Sequence, residues 1–211
     1  NSPNMLKQIG YNAPAKTEIK VDLSYSSRIY HAPSSITKAW KGLLVYPNPP
    51  DQIRGGGISS IESQRWMVTL LGYGVQKPPS NDREFLAFSK SLDKPDIYEA
   101  IKYAEPLTDV SVYRFPALRR FHYEKMNRFP NSLIVIGDAF GRIDPVFAQV
   151  MSISAFEALA LKKALQRALT IGMKQFPQRF HRSVSKIIDV PWLIALTEDF
   201  RFSSTTKKKP F

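Results

Sequence analysis

The stretch from Leu133 to Leu165, LIVIGDAFGRIDPVFAQVMSISAFEALALKKAL, constrains the chain more than any other. Leu133-Ile134-Val135-Ile136 is an apolar run too short for a helix, and Asn131 and Gly137 flank it with turn formers, which predicts a buried strand. Gly137-Asp138 ends that run. A loop holding Gly141, Arg142 and Pro145 follows, and from Phe147 onward the pattern becomes an Ala- and Leu-rich helix. In open α/β sheets, ligands lie beyond the carboxyl ends of strands, where helix N-termini also present free N–H groups. A carboxylate at that edge accepts hydrogen bonds from sugar or polyol hydroxyls. The layout suits a nucleotide-like ligand, although Gly-Asp after a strand is also a common turn.

Upstream, residues 1–18 read as a connecting segment with Pro3, Asn12 and Pro14. Residues 19–30 alternate apolar and polar side chains at period two, the pattern of a half-buried strand. Further strands are predicted over 40–46, 55–61 and 65–71, the last two joined by a short turn at Glu62-Ser63-Gln64. Successive strands with short turns favour an antiparallel sheet, one face of which can cover a hydrophobic ligand. Neither Gly55-Gly56-Gly57 nor Gly72-Tyr73-Gly74 has the strand–turn–helix setting of a dinucleotide loop, so both are taken as strand bulges or turns. A cap cluster at 78–82 precedes a predicted helix over 84–91. A second helix follows over 96–104, and 110–115 returns to the sheet.

Residues 117–129 interleave Arg119, Arg120, Arg128 and Lys125 with aromatics. Such a pattern stacks bases or packs near a substrate mouth. His122 lies there with no second ligand at metal spacing, so no metal site is expected. The helix after the Gly-Asp motif carries Ile153, Phe156, Leu159, Ala160, Ala164 and Leu165 as a core stripe, with Lys162 and Lys163 outside. A second amphipathic helix is predicted over 175–188. Phe180, Val184, Ile187 and Ile188 form one face and Arg179, Arg182 and Lys186 the other, and Pro191-Trp192 ends it. The tail 203–211, with Lys207-Lys208-Lys209, is expected to be disordered.

With 211 residues, 43% of them hydrophobic, the chain is long enough for a real core. Nothing approaches the ~18 uninterrupted apolar residues of a membrane span. The absence of cysteine excludes disulfides and thiolate chemistry, and a reducing cytoplasm is the default compartment. Formal charge is +12, concentrated after Ala160, where 11 Lys or Arg face 3 Asp or Glu, a balance of 11 − 3 = +8. A solvated basic face accounts for this first, an anionic membrane surface second. Nucleic acid comes last, since no recognised binding motif accompanies the charge.

The central stretch resembles the second flavin motif of class A FAD-dependent monooxygenases, the para-hydroxybenzoate-hydroxylase-like group. Gly137-Asp138-Ala139, Pro145 and Ala148-Gln149-Val150-Met151 stand where that family has Gly-Asp-Ala, a proline and a Gly-Gln-Gly-Met-like turn. Residues 23–30, 66–70 and 113–116, with Pro191-Trp192 and 198–202, are similar to the squalene-epoxidase-like and polyether-epoxidase-like branch. The resemblance implies FAD as cofactor, NAD(P)H as co-substrate, O₂ as oxidant, and hydroxylation or epoxidation of a lipophilic small molecule. It implies flavin contacts at Gly137, Asp138, Ala139, Pro145, Ala148, Gln149, Val150 and Met151, and substrate contacts at Arg28, Tyr30, Tyr113 and Phe115.

The implied fold is mixed α+β and α/β, running through five segments. They are a connecting segment (1–18), a substrate-covering antiparallel sheet with short helices (19–116), the last strand and long helix of an FAD-binding domain (117–170), a C-terminal helix and cap (171–202), and the basic tail (203–211). The family's N-terminal Gly-rich βαβ unit, which binds the ADP half of FAD, has no counterpart here. The chain therefore resembles a C-terminal half that a separate ADP-binding chain would complete. Ala148 and Val150 replace glycines that give close backbone approach to the flavin. This keeps open two alternatives, a non-catalytic binding protein of that descent and a basic module at a membrane surface or on nucleic acid.

Overall fold

The computed structural model describes residues 2–33 and 40–207. The chain divides into two units. A sheet unit comprises Val21–Pro116 and Arg201–Thr205, and a helical unit comprises Asn1–Lys20, Ala117–Phe200 and Thr206–Phe211.

In the sheet unit, β1 (Lys16–His31), β2 (Gly42–Val45), β3 (Arg54–Ile61), β4 (Arg65–Tyr73) and β5 (Ser111–Phe121) follow the order β2-β3-β4-β1-β5. The β2/β3, β3/β4 and β4/β1 pairings are antiparallel, as short turns require, with Leu43↔Ile58, Ile58↔Val68 and Arg28↔Val68 in register. The β3–β4 turn is the one expected, and Ser63 (φ 60°) and Gln64 (φ 52°) take left-handed conformations there. Trp66, Val68 and Leu70 of β4, with Tyr30 and Ile58, form the core beneath α2 (Asp82–Lys90) and α3 (Asp96–Ile101), which contribute Phe85, Ile97 and Ile101. Helix α2 starts where its cap predicts: the Asn81 side chain accepts the Glu84 N–H at 3.0 Å. The glycine run of β3 is no bulge. A Cβ on Gly56 would stand 2.7 Å from the Thr69 carbonyl oxygen, so glycine permits close packing of the two strands.

The period-two reading of the first strand needs one correction. Ile19, Val21 and Leu23 are buried, but beyond them the buried residues are Ser24, Ser26, Arg28 and Tyr30. Asp22, at φ 52°, interrupts the alternation and moves the following side chains to the opposite phase.

The helical unit departs further from expectation. Residues 2–8, read as part of a connector, form α1 (Ser2–Gln8), anchored by Leu6 and by a 2.8 Å hydrogen bond between Ser2 Oγ and the Tyr123 hydroxyl. The run 133–136 is extended, yet it joins no sheet ladder among the described residues. Side chains take over part of its backbone bonding. Val135 N–H donates to His181 Nε2 at 3.0 Å, and Gly137 N–H donates to Glu157 Oε2 at 2.8 Å.

Helix α4 (Val150–Ile171) appears as expected, but its stripe is not core: Phe156 is 58% exposed, Leu159 54% and Leu165 46%. Helix α5 (Phe176–Asp199) runs through Pro191 instead of ending there. Val184, Ile188, Trp192 and Ala195 continue one buried stripe across the proline, and that burial offsets the lost helix bond. The tail also differs. β6 (Thr206–Lys207) pairs with β1 at Lys20 and Ile19, so the expected disorder does not reach 206–207; residues 208–211 lie outside the described residues.

Candidate functional site

The Gly-Asp motif forms a short 3-10 turn over Gly137–Ala139, opened by Gly137 at φ 62°, a conformation that suits a residue without Cβ. Glu157 of α4 fixes this turn. Its carboxylate is buried and accepts the Gly137 N–H, while its second oxygen has no partner among the described residues. Burial raises the Glu157 pKa, the Gly137 bond partly offsets that, and the nearby Asp138 charge adds to the rise. With the turn held from within, Asp138 and Ala139 are left exposed at its tip. No described group is hydrogen-bonded or ion-paired to the Asp138 carboxylate.

A second 3-10 turn, Pro145–Phe147, leads into α4. Asp144 Oδ1 caps it by accepting the Val146 N–H at 2.8 Å. Ala148 closes it in the left-handed region at φ 52°, ψ 27°. The sequence therefore has alanine at a position whose backbone favours glycine. Gln149 and Val150 are half-buried, and Pro145 and Met151 are exposed, Met151 at 86%. No side chain caps the start of α4 and no acid lies in its first turn. Its first N–H groups and positive dipole end remain available to an electron-rich group.

Two buried ionisable groups brace this region. Asp199, at the end of α5, is fully buried beside Asp144. Burial first, and the Asp144 charge second, push Asp199 up to about 9, so it carries the proton beside the Asp144 carboxylate. His181 is enclosed by Tyr123, Phe129, Phe140 and Phe180. Because its Nε2 accepts the Val135 N–H, its proton sits on Nδ1, and burial lowers its pKa to about 4. Neither residue stood out in the sequence. A lone His in an aromatic stretch and an acid near a chain end carry no signal until folding buries them.

The basic, aromatic segment 117–129 turns inward. Arg120 pairs with Asp189 at 2.7 Å and donates to Ser185 Oγ at 2.9 Å, while Phe121, Tyr123 and Phe129 are buried. His122 is held between Thr17 Oγ1 (2.8 Å) and Glu124 Oε1 (3.0 Å). Among the described residues, no cluster of His, Asp or Glu could hold a metal ion, and no helix is long and apolar enough to cross a membrane.

In the sheet unit, the four residues implied as substrate contacts separate. Arg28 is buried, donating to the Thr108 carbonyl at 2.6 Å and pairing with Asp82 at 2.8 Å. Tyr30 belongs to the core and Phe115 is fully buried. Only Tyr113 is exposed, and its ring lies 6.2 Å from that of Tyr25. The open face of the sheet is formed by the other phase of the strands. Tyr25↔Leu71, Ser27↔Thr69 and Ile29↔Met67 are paired across β1 and β4, and all six are partly or well exposed. Strand parity past Asp22 is the signal that would have found them.

No family model matches the sequence. Among solved structures, the fold is similar to that of a triple mutant of the flavin-dependent brominase Bmp2, with a TM-score of 0.64 and 14% identity, over 95% of this chain and 51% of that one. It is also similar to the tetrameric form of 2-methyl-3-hydroxypyridine-5-carboxylic acid oxygenase (0.61, 12%, 92% and 50%) and to the flavin-dependent halogenase CmlS (0.55, 14%, 86% and 32%). What the chain shares with these structures is the fold of part of each. In sequence, the chain is 27% identical over 204 residues to Protein Rv3254 of Mycobacterium tuberculosis (strain ATCC 25618 / H37Rv), covering 97% of this chain and 43% of that protein. The chain spans about half or less of each of these relatives.

Proposed function

We propose that the chain is the substrate-sheet and second-flavin-motif part of an FAD-dependent, NAD(P)H- and O₂-using monooxygenase of the squalene- and polyether-epoxidase-like branch. An ADP-binding half would complete it. The observation that carries this reading is the Gly137–Ala139 turn, pinned from inside by Glu157 with the Asp138 carboxylate exposed and unengaged. Asp138 is placed to accept hydrogen bonds from ribityl hydroxyls. The uncapped start of α4 offers N–H groups to the electron-rich edge of an isoalloxazine. The bound flavin would supply hydride acceptance and oxygen transfer, and the chain would supply position and a dry surface. Tyr25, Ile29, Met67, Leu71 and Tyr113 form the face on which a lipophilic substrate would lie.

Because these residues reach only the ribityl and ring end, FMN and FAD should bind this chain with equal affinity in a flavin fluorescence titration. Asp138→Ala should weaken both about tenfold, the loss expected for a charge-assisted hydrogen bond. Unchanged flavin emission and polarisation at saturating protein, or an Asp138→Ala variant that binds as the parent does, rejects the reading. Val150 favours a second reading, a binding protein that keeps the sheet and has lost the flavin. In that case a lipophilic probe would bind the sheet face while flavin would not bind.

A further inference from the structure

Helices α4 and α5 form a hairpin joined by residues 172–175, and its tip is a built structure. Gly172 N–H donates to the Ala168 carbonyl at 2.8 Å, Phe176 N–H donates to the Met173 carbonyl at 3.0 Å, and Arg179 donates to the Gly172 carbonyl at 3.0 Å and also to that of Lys174. On this tip Leu169 is 90% exposed, Met173 54% and Ile171 50%. Between Ala158 and Ile188 the sequence has seven Lys or Arg and not one Asp or Glu. A groove of about 660 Å³ runs between the helices. Phe156, Leu159, Lys186 and Ile187 line it away from the tip, and Lys163, Arg167, Phe176 and Arg182 line it nearer the tip. Lys163, Arg167, Arg182 and Lys186 make no ion pair with any described residue.

We propose that the tip of the α4–α5 hairpin docks on an anionic lipid bilayer, with Leu169, Ile171 and Met173 entering the interface and Lys163, Arg167, Arg182 and Lys186 holding headgroup phosphates. The inference does not depend on flavin binding. Exposed apolar residues at a braced tip, flanked by cations and no acids, are the two ingredients of interfacial attachment, burial of apolar area and attraction to anionic lipid. The groove adds to the cationic side of this surface, since Lys163, Arg167, Arg182 and Lys186 all line it.

The test is co-sedimentation of the full chain with vesicles of phosphatidylcholine alone and with vesicles containing about one-third phosphatidylserine, at low and high salt. Binding to the anionic vesicles alone, reduced by salt, is expected. Lys163→Glu with Arg167→Glu should lower the partition coefficient by about tenfold or more, since each cation near the surface contributes about a factor of five. Leu169→Ser should lower it several-fold at unchanged salt dependence. Melting curves of these exposed-site variants should match the parent. Equal binding to both vesicle types, no binding to either, or an unchanged partition coefficient in the charge-reversed variant overturns the proposal. Capture of the chain by an acidic amphipathic peptide that anionic vesicles fail to displace also overturns it.

Discussion

Helices α4 and α5 are of similar length and belong to one hairpin, yet they bury very different amounts. Nine residues of α5 are buried and only three of α4, namely Ile153, Glu157 and Ala168. Both sequences carry an apolar stripe at helical spacing. The difference lies in what meets the stripe. Helix α5 lies against the aromatic cluster of Tyr123, Phe129 and Phe140, so its stripe becomes core. Helix α4 is attached mainly at its beginning, where Glu157 grips the Gly137 turn, and the rest of its stripe faces outward. Amphipathic periodicity therefore identifies a face that seeks a partner, without showing that the partner is in the same unit.

The largest effect that would break this contrast is at Phe180, which is fully buried. Phe180→Ala should cost about 3–5 kcal/mol through lost burial and a residual cavity, read as a lowered denaturation midpoint. A cost below about 1 kcal/mol would show that α5 is not the anchored helix.

A smaller effect sharpens the picture of the α5 interior. Burial depresses His181 from 6.5 to about 4, so its neutral form contributes stability that is present above pH 6.5 and lost as pH falls toward about 4. Asp199 acts in the opposite direction. Its raised pKa makes stability greatest at low pH, falling as pH rises toward about 9. Comparing His181→Gln with the parent isolates the histidine, because Asp199 is common to both. The amide retains an acceptor for Val135 N–H, and the variant should lose the acid-side slope between pH 6.5 and 4 in thermal melts. Parallel pH profiles would place His181 in contact with water.

The smallest effect belongs to α4. Phe156→Ser, at a side chain 58% exposed, should change stability by no more than about 0.5 kcal/mol in urea unfolding. A cost comparable to that of Phe180→Ala would mean that the α4 stripe is covered in solution.

The sheet was readable because its signals are local. Short turns, alternating strands and the Asn81 cap depend on neighbours a few residues apart, and all appear close to where the sequence places them. The Gly137 turn and α4 were readable for the same reason. Three features were not readable, each decided by distant groups. The run 133–136 has strand composition, but Val135 N–H donates to His181 and the turn after the run is fixed by Glu157, residues far along the chain. Pro191 reads as a stop, and only the buried stripe from Val184 to Ala195 shows why the helix continues. Arg28 and Tyr30, substrate contacts by the family resemblance, are buried because one unusual φ at Asp22 shifts the strand's phase.

The pairing of β6 with β1 bears on the order of folding. Ile19 and Lys207 lie 207 − 19 = 188 positions apart in sequence, whereas most of the sheet unit lies in one continuous stretch, Val21–Pro116. Loop closure over so many residues is entropically unfavourable and slow, and the helical unit, assembled from three separated segments, depends on it. In sequence the sheet unit is thus an insertion within the helical unit, and the pairing that spans this insertion is expected to form after the local turns of the sheet.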